Sequence, residues 1–509
     1  MLTLKRIAID THRESIAYLS RDCPLYRAEE FLALAKVEVT AREDRGSGPG
    51  NGPGSGLRLP AVLNIVDDPH LLGANELGLS EEAFRLFGQP EGMPVWIDHP
   101  KPVESLDCVR AKIQGRVLSQ AEYNAVIRDV AARRYSKMEI AAFLVGCASF
   151  MTAAEVLSLT RAMANVGHKL DWDHRPVVDK HCIGGIPGNR TSMIVVPIVI
   201  AHGLTIPKTS SRAITSPAGT ADTMEVLARV DIGTDEMRAI VEKTGGCLIW
   251  GGRVNLSPAD DVLITVERPL GIDTREQMVA SILSKKVTAG ARHLVLDIPV
   301  GPTAKVRSRA DAVRLRKLFE YVAGELGLPI EIVITEGLEP IGRGIGPILE
   351  ARDVLAVLRN EPGAPADLRE RALLLAGQLI EADPAVRGGQ GMRRARELLQ
   401  SGAALRAMER LIEAQGPSSL ALVPGPLGYD VPAPQDGVVQ SIDCLRMARI
   451  ARLAGAPAFK GAGLDLFRKT GETVRKGEPL YRIHAGLQSD LGFAADLAGR
   501  DNGYVIAAT

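Results

Sequence analysis

A glycine-rich segment that joins two apolar runs is the feature that most constrains this chain. Residues 179–192 have the sequence Asp-Lys-His-Cys-Ile-Gly-Gly-Ile-Pro-Gly-Asn-Arg-Thr-Ser. Residues 176–178 are typical of the end of a buried strand, and the apolar run at 193–200 predicts a helix. The chain therefore passes from a strand to a helix through a loop of small residues. The candidates for the helix cap are Asn189, Thr191 and Ser192.

This loop has the chemistry of an anion site. Gly184, Gly185 and Gly188 let the backbone approach a ligand closely. The N–H groups at a helix start and the helix dipole favour negative charge, and Lys180 and Arg190 add positive charge. We therefore expect a phosphate to bind here. The alternative is a tight strand-to-helix turn without a ligand, which would use the same glycines.

A second segment strengthens the phosphate interpretation. Residues 210–222 are dense in hydroxyls, contain Arg212 and end in another glycine-containing turn. Between Lys180 and Thr220 there are four Lys or Arg and no Asp or Glu, whereas the whole chain has 61 of each sign. Such a local cationic patch suits a small phosphorylated ligand better than a nucleic acid.

Composition argues against several classes of partner. The formal net charge of zero disfavours binding to a nucleic acid or a membrane surface. No run of about 18 apolar residues predicts a membrane span, and the first residues lack the pattern of a signal peptide. The six cysteines have no Cys-x-x-Cys spacing, which indicates reduced thiols and a cytoplasmic protein. No spacing of His, Cys or Asp indicates a metal, and Cys182 at a helix start is the one candidate for a reactive thiol.

The first 170 residues predict a β-rich domain followed by an all-α domain. Residues 1–100 are strand-rich apart from a polar, glycine-rich insert at 46–56, and Ser80 is placed to cap a short helix. Residues 105–170 have apolar positions at helical spacing. Their helices begin at capping-box sequences that start with Ser119, Ser136 and Thr152.

The rest of the chain predicts an α/β domain and a C-terminal domain, so the fold class is multidomain α/β. Residues 171–420 alternate strands and helices, which is typical of a mainly parallel central sheet covered by helices. Strands are expected at 294–298 and 330–334. Residues 424–509 resemble a barrel-sandwich β domain of the biotinyl/lipoyl type without its modified lysine, so a structural role is expected.

The glycine-rich segments resemble the thymidine/pyrimidine-nucleoside phosphorylase family. That family has a Lys-His-Ser-Thr-Gly-Gly loop, then a Ser-x-Arg stretch that closes in Gly-Gly-Thr-x-Asp. Here residues 180–185 are Lys-His-Cys-Ile-Gly-Gly, and residues 218–222 are Ala-Gly-Thr-Ala-Asp. A third match, Ala-Ser-Ile-Leu-Ser-Lys-Lys, occupies residues 280–286. The resemblance implies that residues 258–288 leave the sheet and pack on the all-α domain, with the active site in a cleft between domains.

Where this chain differs from that pattern, it resembles the second branch of the family. That branch contains archaeal AMP phosphorylase and bacterial chains called thymidine phosphorylase by similarity. Cys182 replaces a serine that binds phosphate, the turn at 186–189 is one residue longer, and residues 215–218 replace a His-Thr-Gly stretch. A base-binding arginine of the pyrimidine enzymes has no gapless counterpart, and Arg268 is the nearest candidate.

The resemblance implies a set of site residues. The positions of the AMP phosphorylase pattern that bind substrate fall on Gly185, Ser211, Arg212, Ala213, Ile214, Thr215, Ser216, Thr220, Ser281 and Lys305. The phosphate cradle falls on Lys180, Gly184, Gly185, Ser192 and Thr220. The catalytic residues are expected to be Asp273, Lys180 and Lys285, with no metal and no cofactor besides the co-substrate phosphate.

Each role has a physical basis and an alternative. Ser281 and Lys285 are four apart, so on a helix they share a face and can reach one base together. Asp273 can donate a proton only if burial raises its pKa above the ordinary value of about 3.9; the alternative is a helix N-cap. For Lys285 and Lys286 the alternative is a solvated last helical turn. Lys305 either meets a 5′-phosphate or stabilises the edge of a base.

The resemblance implies a phosphorylase. Phosphate would attack the sugar carbon through an oxocarbenium-like transition state while the base of a nucleoside or nucleoside 5′-monophosphate leaves. An anthranilate-type phosphoribosyltransferase is the alternative enzyme, and a catalytically dead regulatory binder is a third possibility. A phosphoribosyltransferase of this type needs acidic residues that bind Mg²⁺, and the segment from Lys180 to Thr220 contains none. The family also implies a homodimer or a higher homo-oligomer.

Overall fold

The computed structural model describes two compact units. The first comprises Met1–Val166 and Pro258–Met278, and the second comprises Gly167–Ser257 and Val279–Thr509. The predicted insert at 46–56 lies outside the described residues, which are 1–11, 14–27, 34–41, 57–172, 176–213, 216–386 and 388–508. Within these ranges no helix combines the length and apolar character needed to cross a membrane.

The first unit begins with a closed six-stranded barrel in the order β1-β5-β2-β4-β3-β6. Its strands are β1 (Leu2–Arg6), β2 (Ile16–Ser20), β3 (Lys36–Ala41), β4 (Leu57–Val66), β5 (Glu76–Leu79) and β6 (Pro94–Asp98). Helix α1 (Glu81–Phe87) follows β5, and the predicted cap is confirmed because the Ser80 side chain accepts a hydrogen bond from Ala83 N. Phe87 packs into the barrel core with Leu19 and Leu63.

Four helices with buried apolar faces follow the barrel. They are α2 (Leu106–Ile113), α3 (Gln120–Ala131), α4 (Lys137–Ser149) and α5 (Ala153–Asn165). The three predicted capping boxes are confirmed, because in each the Ser or Thr hydroxyl and the Glu carboxylate exchange backbone hydrogen bonds. The Glu residues of these boxes are Glu122, Glu139 and Glu155.

Glu155 also holds the helices together from inside. Its carboxylate lies 2.5 Å from the ammonium of Lys112, and both side chains are almost fully buried. It accepts further hydrogen bonds from the Leu118 N–H at 3.0 Å and the Tyr123 hydroxyl at 3.1 Å. A buried charge of this kind is tolerated because it is paired and fully hydrogen-bonded.

The second unit contains two sets of parallel strands. In chain order the elements from Val178 to Glu336 are β7 (Val178–Cys182), α6 (Ser192–His202), β8 (Ile206–Ser210), α7 (Thr220–Met224), α8 (Thr234–Thr244), β9 (Gly246–Trp250), α9 (Pro258–Leu270), α10 (Arg275–Thr288), β10 (His293–Val300), α11 (Arg309–Glu325) and β11 (Ile330–Glu336). Strands pair in the orders β11-β10-β7 and β8-β9, and a parallel bridge between Val177 and Thr205 joins the two sets. Helix α9 belongs to the first unit and packs on α3 and α4.

Two of the three predicted strands are confirmed. Strands β10 and β11 cover the expected segments at 294–298 and 330–334. The expectation that a strand ends near residue 178 is wrong, because β7 begins at Val178 and continues to Cys182. Pairing with β10, from Val178 opposite His293 to Cys182 opposite Asp297, extends the strand through polar residues.

Helix α6 lies at the centre of the largest apolar core. Nearly every side chain from Met193 to Ile200 is buried, as the apolar run predicted. Helices α13, α14 and α15 pack against it. The elements of this region are β12 (Gly344–Ile345), α12 (Pro347–Leu358), α13 (Ala366–Ile380), α14 (Gly391–Gln400) and α15 (Ala403–Gln415).

The C-terminal segment forms two antiparallel sheets and two helices. Its elements are β13 (Leu427–Pro432), β14 (Gly437–Ile442), α16 (Cys444–Leu453), β15 (Gly463–Leu466), β16 (Thr473–Val474), β17 (Pro479–Ala485), α17 (Gln488–Arg500) and β18 (Tyr504–Ala507). The sheets have the orders β12-β15-β17-β13 and β16-β14-β18. Strand β12 comes from the preceding region, because Gly344 and Ile345 pair with β15.

We expect Glu155→Gln to destabilise the helices α2–α5 by about 3 kcal/mol, because Lys112 would remain buried without a countercharge. Amide hydrogen exchange in these helices measures their local opening free energy. Glu122→Gln is the control, since this partly exposed carboxylate closes the same kind of capping box and its loss should cost about 1 kcal/mol or less. Equal effects of the two substitutions would contradict the role assigned to the buried pair.

Candidate functional site

Lys180 projects from strand β7 into the interior of the second unit. Its side chain is only about 1% exposed, and its Nζ donates to Thr191 Oγ1 at 2.7 Å and to Ser192 Oγ at 3.4 Å. Lys180 is therefore part of the strand and not of the loop that follows it. Burial lowers the pKa of Lys180, so an anion beside it would stabilise the charged form.

The loop after β7 depends on glycine. Gly184, Gly185 and Gly188 have φ of 87°, 93° and 73°, in the left-handed region. Gly185 also packs directly on Lys305, since a Cβ at residue 185 would lie 2.5 Å from the Lys305 backbone nitrogen. The phosphate-loop residues Gly184 and Gly185 and the predicted substrate residue Lys305 thus meet at one place.

The start of helix α6 differs from the predicted cap. Thr191 occupies the N-cap position but makes no side-chain cap bond. Its hydroxyl instead accepts from Lys180 and donates to Asn189 Oδ1 at 2.9 Å. The hydroxyl of Thr191 therefore does not occupy the backbone N–H groups of the first turn, which attract anions.

Arg190 and Thr220 are joined by a buried network. Arg190 Nη1 donates to Thr220 Oγ1 at 3.0 Å, and its Nε lies 2.6 Å from Glu350 Oε2. The Thr223 hydroxyl donates to the same carboxylate at 3.3 Å. This network fixes the predicted phosphate residue Thr220 at the start of α7. Burial raises the pKa of Glu350, and the charge of Arg190 opposes that shift.

Arg212 is held by carboxylates. Its guanidinium donates two hydrogen bonds to Glu225, at 2.8 and 2.6 Å, and one to Asp222 at 3.3 Å. It also lies over the Trp250 ring, 5.2 Å from the ring centre. The hydrogen bonds from Arg212, followed by those of Lys460, lower the pKa of Glu225 to about 2. The expectation of an acid-free cationic patch holds for the sequence but not in space, because carboxylates from other segments neutralise Arg190 and Arg212.

Hydrogen bonds hold residues 211–213 close to residues 216–219. Asp222 Oδ2 accepts from Ala213 N at 2.6 Å and from Gly219 N at 2.9 Å. The Ser216 hydroxyl donates to Ala218 O at 2.8 Å, and Ser211 is exposed. The predicted substrate residues Ile214 and Thr215 lie outside the described residues.

Helix α10 places Ser281 and Lys285 one turn apart, both partly exposed. The alternative of a solvated last turn is wrong for Lys286, whose Nζ donates to Asp179 Oδ2 at 2.6 Å with both side chains buried. The Lys208 ammonium lies 3.9 Å from the same carboxylate. We call Asp179, Lys208 and Lys286 the buried charge cluster.

The buried charge cluster perturbs two titratable groups. Burial lowers the pKa of Lys208 to about 7, and the charge of Lys286 lowers it further while Asp179 opposes the shift. His181, on the adjacent part of β7, has a pKa well below its usual value because of burial and the charges of Lys286 and Lys208. His181 is therefore neutral at pH 7 and can act as a hydrogen-bonding group.

Asp273 does not cap helix α10. The helix begins at Arg275, and the Thr274 hydroxyl accepts the hydrogen bond from Gln277 N at 3.2 Å. Thr274 therefore occupies the cap position, so the N-cap alternative for Asp273 is wrong. Asp273 belongs to the first unit, whereas Ser281 and Lys285 belong to the second.

Cys182 has the environment of an unreactive thiol. Its sulfur accepts from Gly184 N at 3.4 Å and from Asn189 Nδ2 at 3.3 Å. Burial and the nearby Asp297 carboxylate raise its pKa to about 12. The thiolate is therefore disfavoured at neutral pH, and Cys182 orders the loop instead of acting as a nucleophile.

Sequence reasoning missed the residues that hold this site in place. They are Asp179, Lys208, Asp222, Glu225, Glu350 and Lys460. Asp179 had a usable signal, since it directly follows the apolar residues Val177 and Val178, and an ionisable residue in a buried strand indicates a buried partner. Glu350 and Lys460 had no such signal, because they come from positions that only folding brings close to Arg190 and Glu225.

Three family models match the chain. The α/β domain of a glycosyl transferase family matches residues 174–405, and the helical bundle domain of that family matches residues 106–167. The C-terminal domain of pyrimidine nucleoside phosphorylase matches residues 438–503. The helical bundle, the α/β domain and the C-terminal domain of this multidomain fold therefore each have a counterpart in known families.

Relatives match the chain over almost its whole length. Proteins of Bradyrhizobium sp. strain ORS 278 and Bradyrhizobium diazoefficiens are each 58% identical over 505 residues, which is 99% of this chain and 97% and 96% of theirs. One from Rhodopseudomonas palustris is 57% identical over 505 residues, covering 99% of this chain and 96% of its own. Each is named "Putative thymidine phosphorylase".

A solved structure shares the fold of part of this chain. The crystal structure of anthranilate phosphoribosyltransferase from Thermus thermophilus aligns with a TM-score of 0.51 and 23% identity. The alignment covers 61% of this chain and 99% of that one. At this identity the likeness describes fold alone.

We expect Gly185→Ala to weaken phosphate binding far more than Gly184→Ala. Both residues have left-handed φ, so each alanine costs about 1 kcal/mol of backbone strain. Only at residue 185 does the new Cβ meet a neighbour, the Lys305 backbone, whereas nothing lies within 4 Å at residue 184. Calorimetric titration with inorganic phosphate measures the difference, and equal affinities of the two variants would count against the proposed loop geometry.

We expect Lys208→Met to remove a pH dependence of stability. The pKa of Lys208 is about 7 in the folded chain and about 10.4 in an unfolded one, so between these values the unfolded chain binds more protons. Wild-type stability should therefore rise relative to the variant by about 2 kcal/mol from pH 7 to pH 9. Urea unfolding at pH 7, 8 and 9 tests this, with exposed Lys243→Met as control; parallel pH profiles would refute it.

Proposed function

Since this chain belongs to the thymidine/pyrimidine-nucleoside phosphorylase family, we propose that it cleaves the N-glycosidic bond of a nucleoside or nucleoside 5′-monophosphate with inorganic phosphate. The products are a free base and ribose or deoxyribose 1-phosphate. Pentosyl transfer follows from the family, and the choice of substrate is our proposal.

The observation that carries the proposal is the environment of Lys180. A buried ammonium donates to two hydroxyls, one of them Ser192, at the start of a helix and beside a glycine loop in left-handed conformation. An anion there gains a cation, hydroxyl donors and the N–H groups of a helix start together. Phosphate held in this way would be positioned for attack on the sugar carbon, which accounts for several kcal/mol of catalysis in enzymes of this kind.

We assign base binding and proton donation to residues on helix α10 and just before it. Ser281 and Lys285, one turn apart and partly exposed, would bind the base. Asp273 would protonate the leaving nitrogen, a role that requires a raised pKa in the substrate complex. Neutral His181 would hydrogen-bond the sugar or order the loop.

A nucleoside 5′-monophosphate is the substrate that we favour. Lys305 is exposed, and its backbone packs against Gly185 in the phosphate loop. A lysine at this place would bind a second phosphate next to the first. Phosphate would be the co-substrate, with no further cofactor, and we propose a homodimeric or higher oligomeric enzyme of the cytoplasm.

The phosphoribosyltransferase is the alternative enzyme, and the solved structure of that name shares the fold of 61% of this chain. That chemistry would need carboxylates near the loop to bind Mg²⁺ with the pyrophosphate of the sugar donor. Asp297, the carboxylate near Cys182 just before this loop, accepts from the Thr335 hydroxyl at 2.6 Å. Asp222 and Glu225, at the segment around Arg212, are paired with Arg212 and Lys460. We therefore favour phosphorolysis.

The test is base release by the purified chain with inorganic phosphate from thymidine, uridine, AMP, CMP and UMP. We expect release from the monophosphates, and Lys305→Met should raise their KM about tenfold because a charge-assisted hydrogen bond is lost. Exposed Lys317→Met is the matched control. Release from thymidine or uridine alone would reject the monophosphate, and turnover only of a pyrophosphorylated ribose with Mg²⁺ would favour the transferase.

A further inference from the structure

A lysine of the C-terminal domain reaches the segment that surrounds Arg212. Lys460 lies between α16 and β15, and its Nζ is 2.7 Å from Glu225 Oε2 and 3.8 Å from Asp222 Oδ1. The side chain is mostly buried, with 21% of its surface exposed. Lys460 and Arg212 therefore share the same two carboxylates, and the four charges balance.

The carboxylates on which Lys460 acts shape the segment directly. Asp222 accepts hydrogen bonds from the backbone N–H groups of Ala213 and Gly219. The two ends of the turn approach so closely that a Cβ on Gly219 would lie 2.5 Å from Ser211 O. A shift of Asp222 or Glu225 would therefore move the predicted substrate residues.

Lys460 is itself fixed in place. Its carbonyl accepts from Ile348 N at 3.1 Å, in the helix α12 that also carries Glu350. The next carbonyl, of Gly461, accepts from Gly425 N at 2.8 Å. The ammonium group is thus presented from a rigid backbone, which reduces the entropy lost when it pairs.

We propose that Lys460 is a positioning residue for the substrate segment. With Glu225, Asp222 and Arg212 it forms a four-member charge clamp that holds residues 211–213 and 216–219 in the binding conformation. In this arrangement Arg212 binds the carboxylates of the clamp and lies over Trp250, and it does not contact the substrate. The inference rests on the proposed function, because it concerns the nucleoside or nucleotide side of that site.

The same domain offers a matched control for simple docking. Lys469 also crosses from the C-terminal domain to carboxylates, with its Nζ 3.1 Å from Asp367 and 3.5 Å from Glu339. Neither partner belongs to the substrate segment. If Lys460 acted only by attaching the C-terminal domain, Lys469 would be equivalent to it.

The kinetic test compares Lys460→Met, Lys460→Arg and Lys469→Met. We expect Lys460→Met to raise the KM for the nucleoside or nucleotide about tenfold and the KM for phosphate less than about twofold. Lys180 and Ser192 lie on another segment, and Thr220 is held separately by Arg190. Lys460→Arg should restore most of the loss, and Lys469→Met should leave both values near wild type. Equal effects of the two Met variants, or no effect of Lys460→Met, would overturn the proposal.

A second measurement does not need turnover. Because Arg212 lies over Trp250, loosening the clamp should increase acrylamide quenching of tryptophan fluorescence in Lys460→Met. The increase should be absent from Lys469→Met and from a Trp250→Phe background. If the wild type cleaved no nucleoside or nucleotide, the proposed function would fail, while unchanged quenching would refute the clamp independently.

Discussion

The carboxylate of Asp179 is the interaction on which the candidate site depends. It is buried in strand β7, binds Lys286 of α10 at 2.6 Å and lies 3.9 Å from Lys208 of β8. The same side chain accepts from the backbone N–H of Lys180 at 2.7 Å. Charges taken out of water are stable only with partners, so this cluster ties two strands and one helix into a fixed arrangement. Lys180 directly follows Asp179 on β7, and Lys285 directly precedes Lys286 on α10, so the cluster fixes the backbone at both lysines.

Around this centre, carboxylates neutralise Arg190 and Arg212, whereas Lys180 is the cation that we propose binds phosphate. Arg190 is paired with Glu350, and Arg212 with Glu225. The hydrogen bonds of the Lys180 ammonium go to the hydroxyls of Thr191 and Ser192, which a phosphate oxygen can join or replace. Because carboxylates neutralise Arg190 and Arg212, we expect an anion to bind at Lys180.

Local signals predicted much of the fold. The capping boxes at Ser119, Ser136 and Thr152 were confirmed because they depend on contacts between residues three apart. The apolar run in α6 and the strands β10 and β11 were confirmed for a similar reason. Two of the wrong predictions concern boundaries: β7 continued to Cys182 because β10 lies beside it, and Thr274 displaced Asp273 from the cap although both residue types suit that position.

The sequence by itself determined the capped helices, the glycine-rich loop before α6, and the family, since each depends on neighbouring residues. Only the tertiary structure decided which charges are neutralised. Lys286 and Asp179 are 107 positions apart, and Glu350 and Lys460 come from segments that no local pattern connects to Arg190 or Glu225. An ion pair depends on the distance between two side chains after folding, and spacing along the chain does not contain that distance.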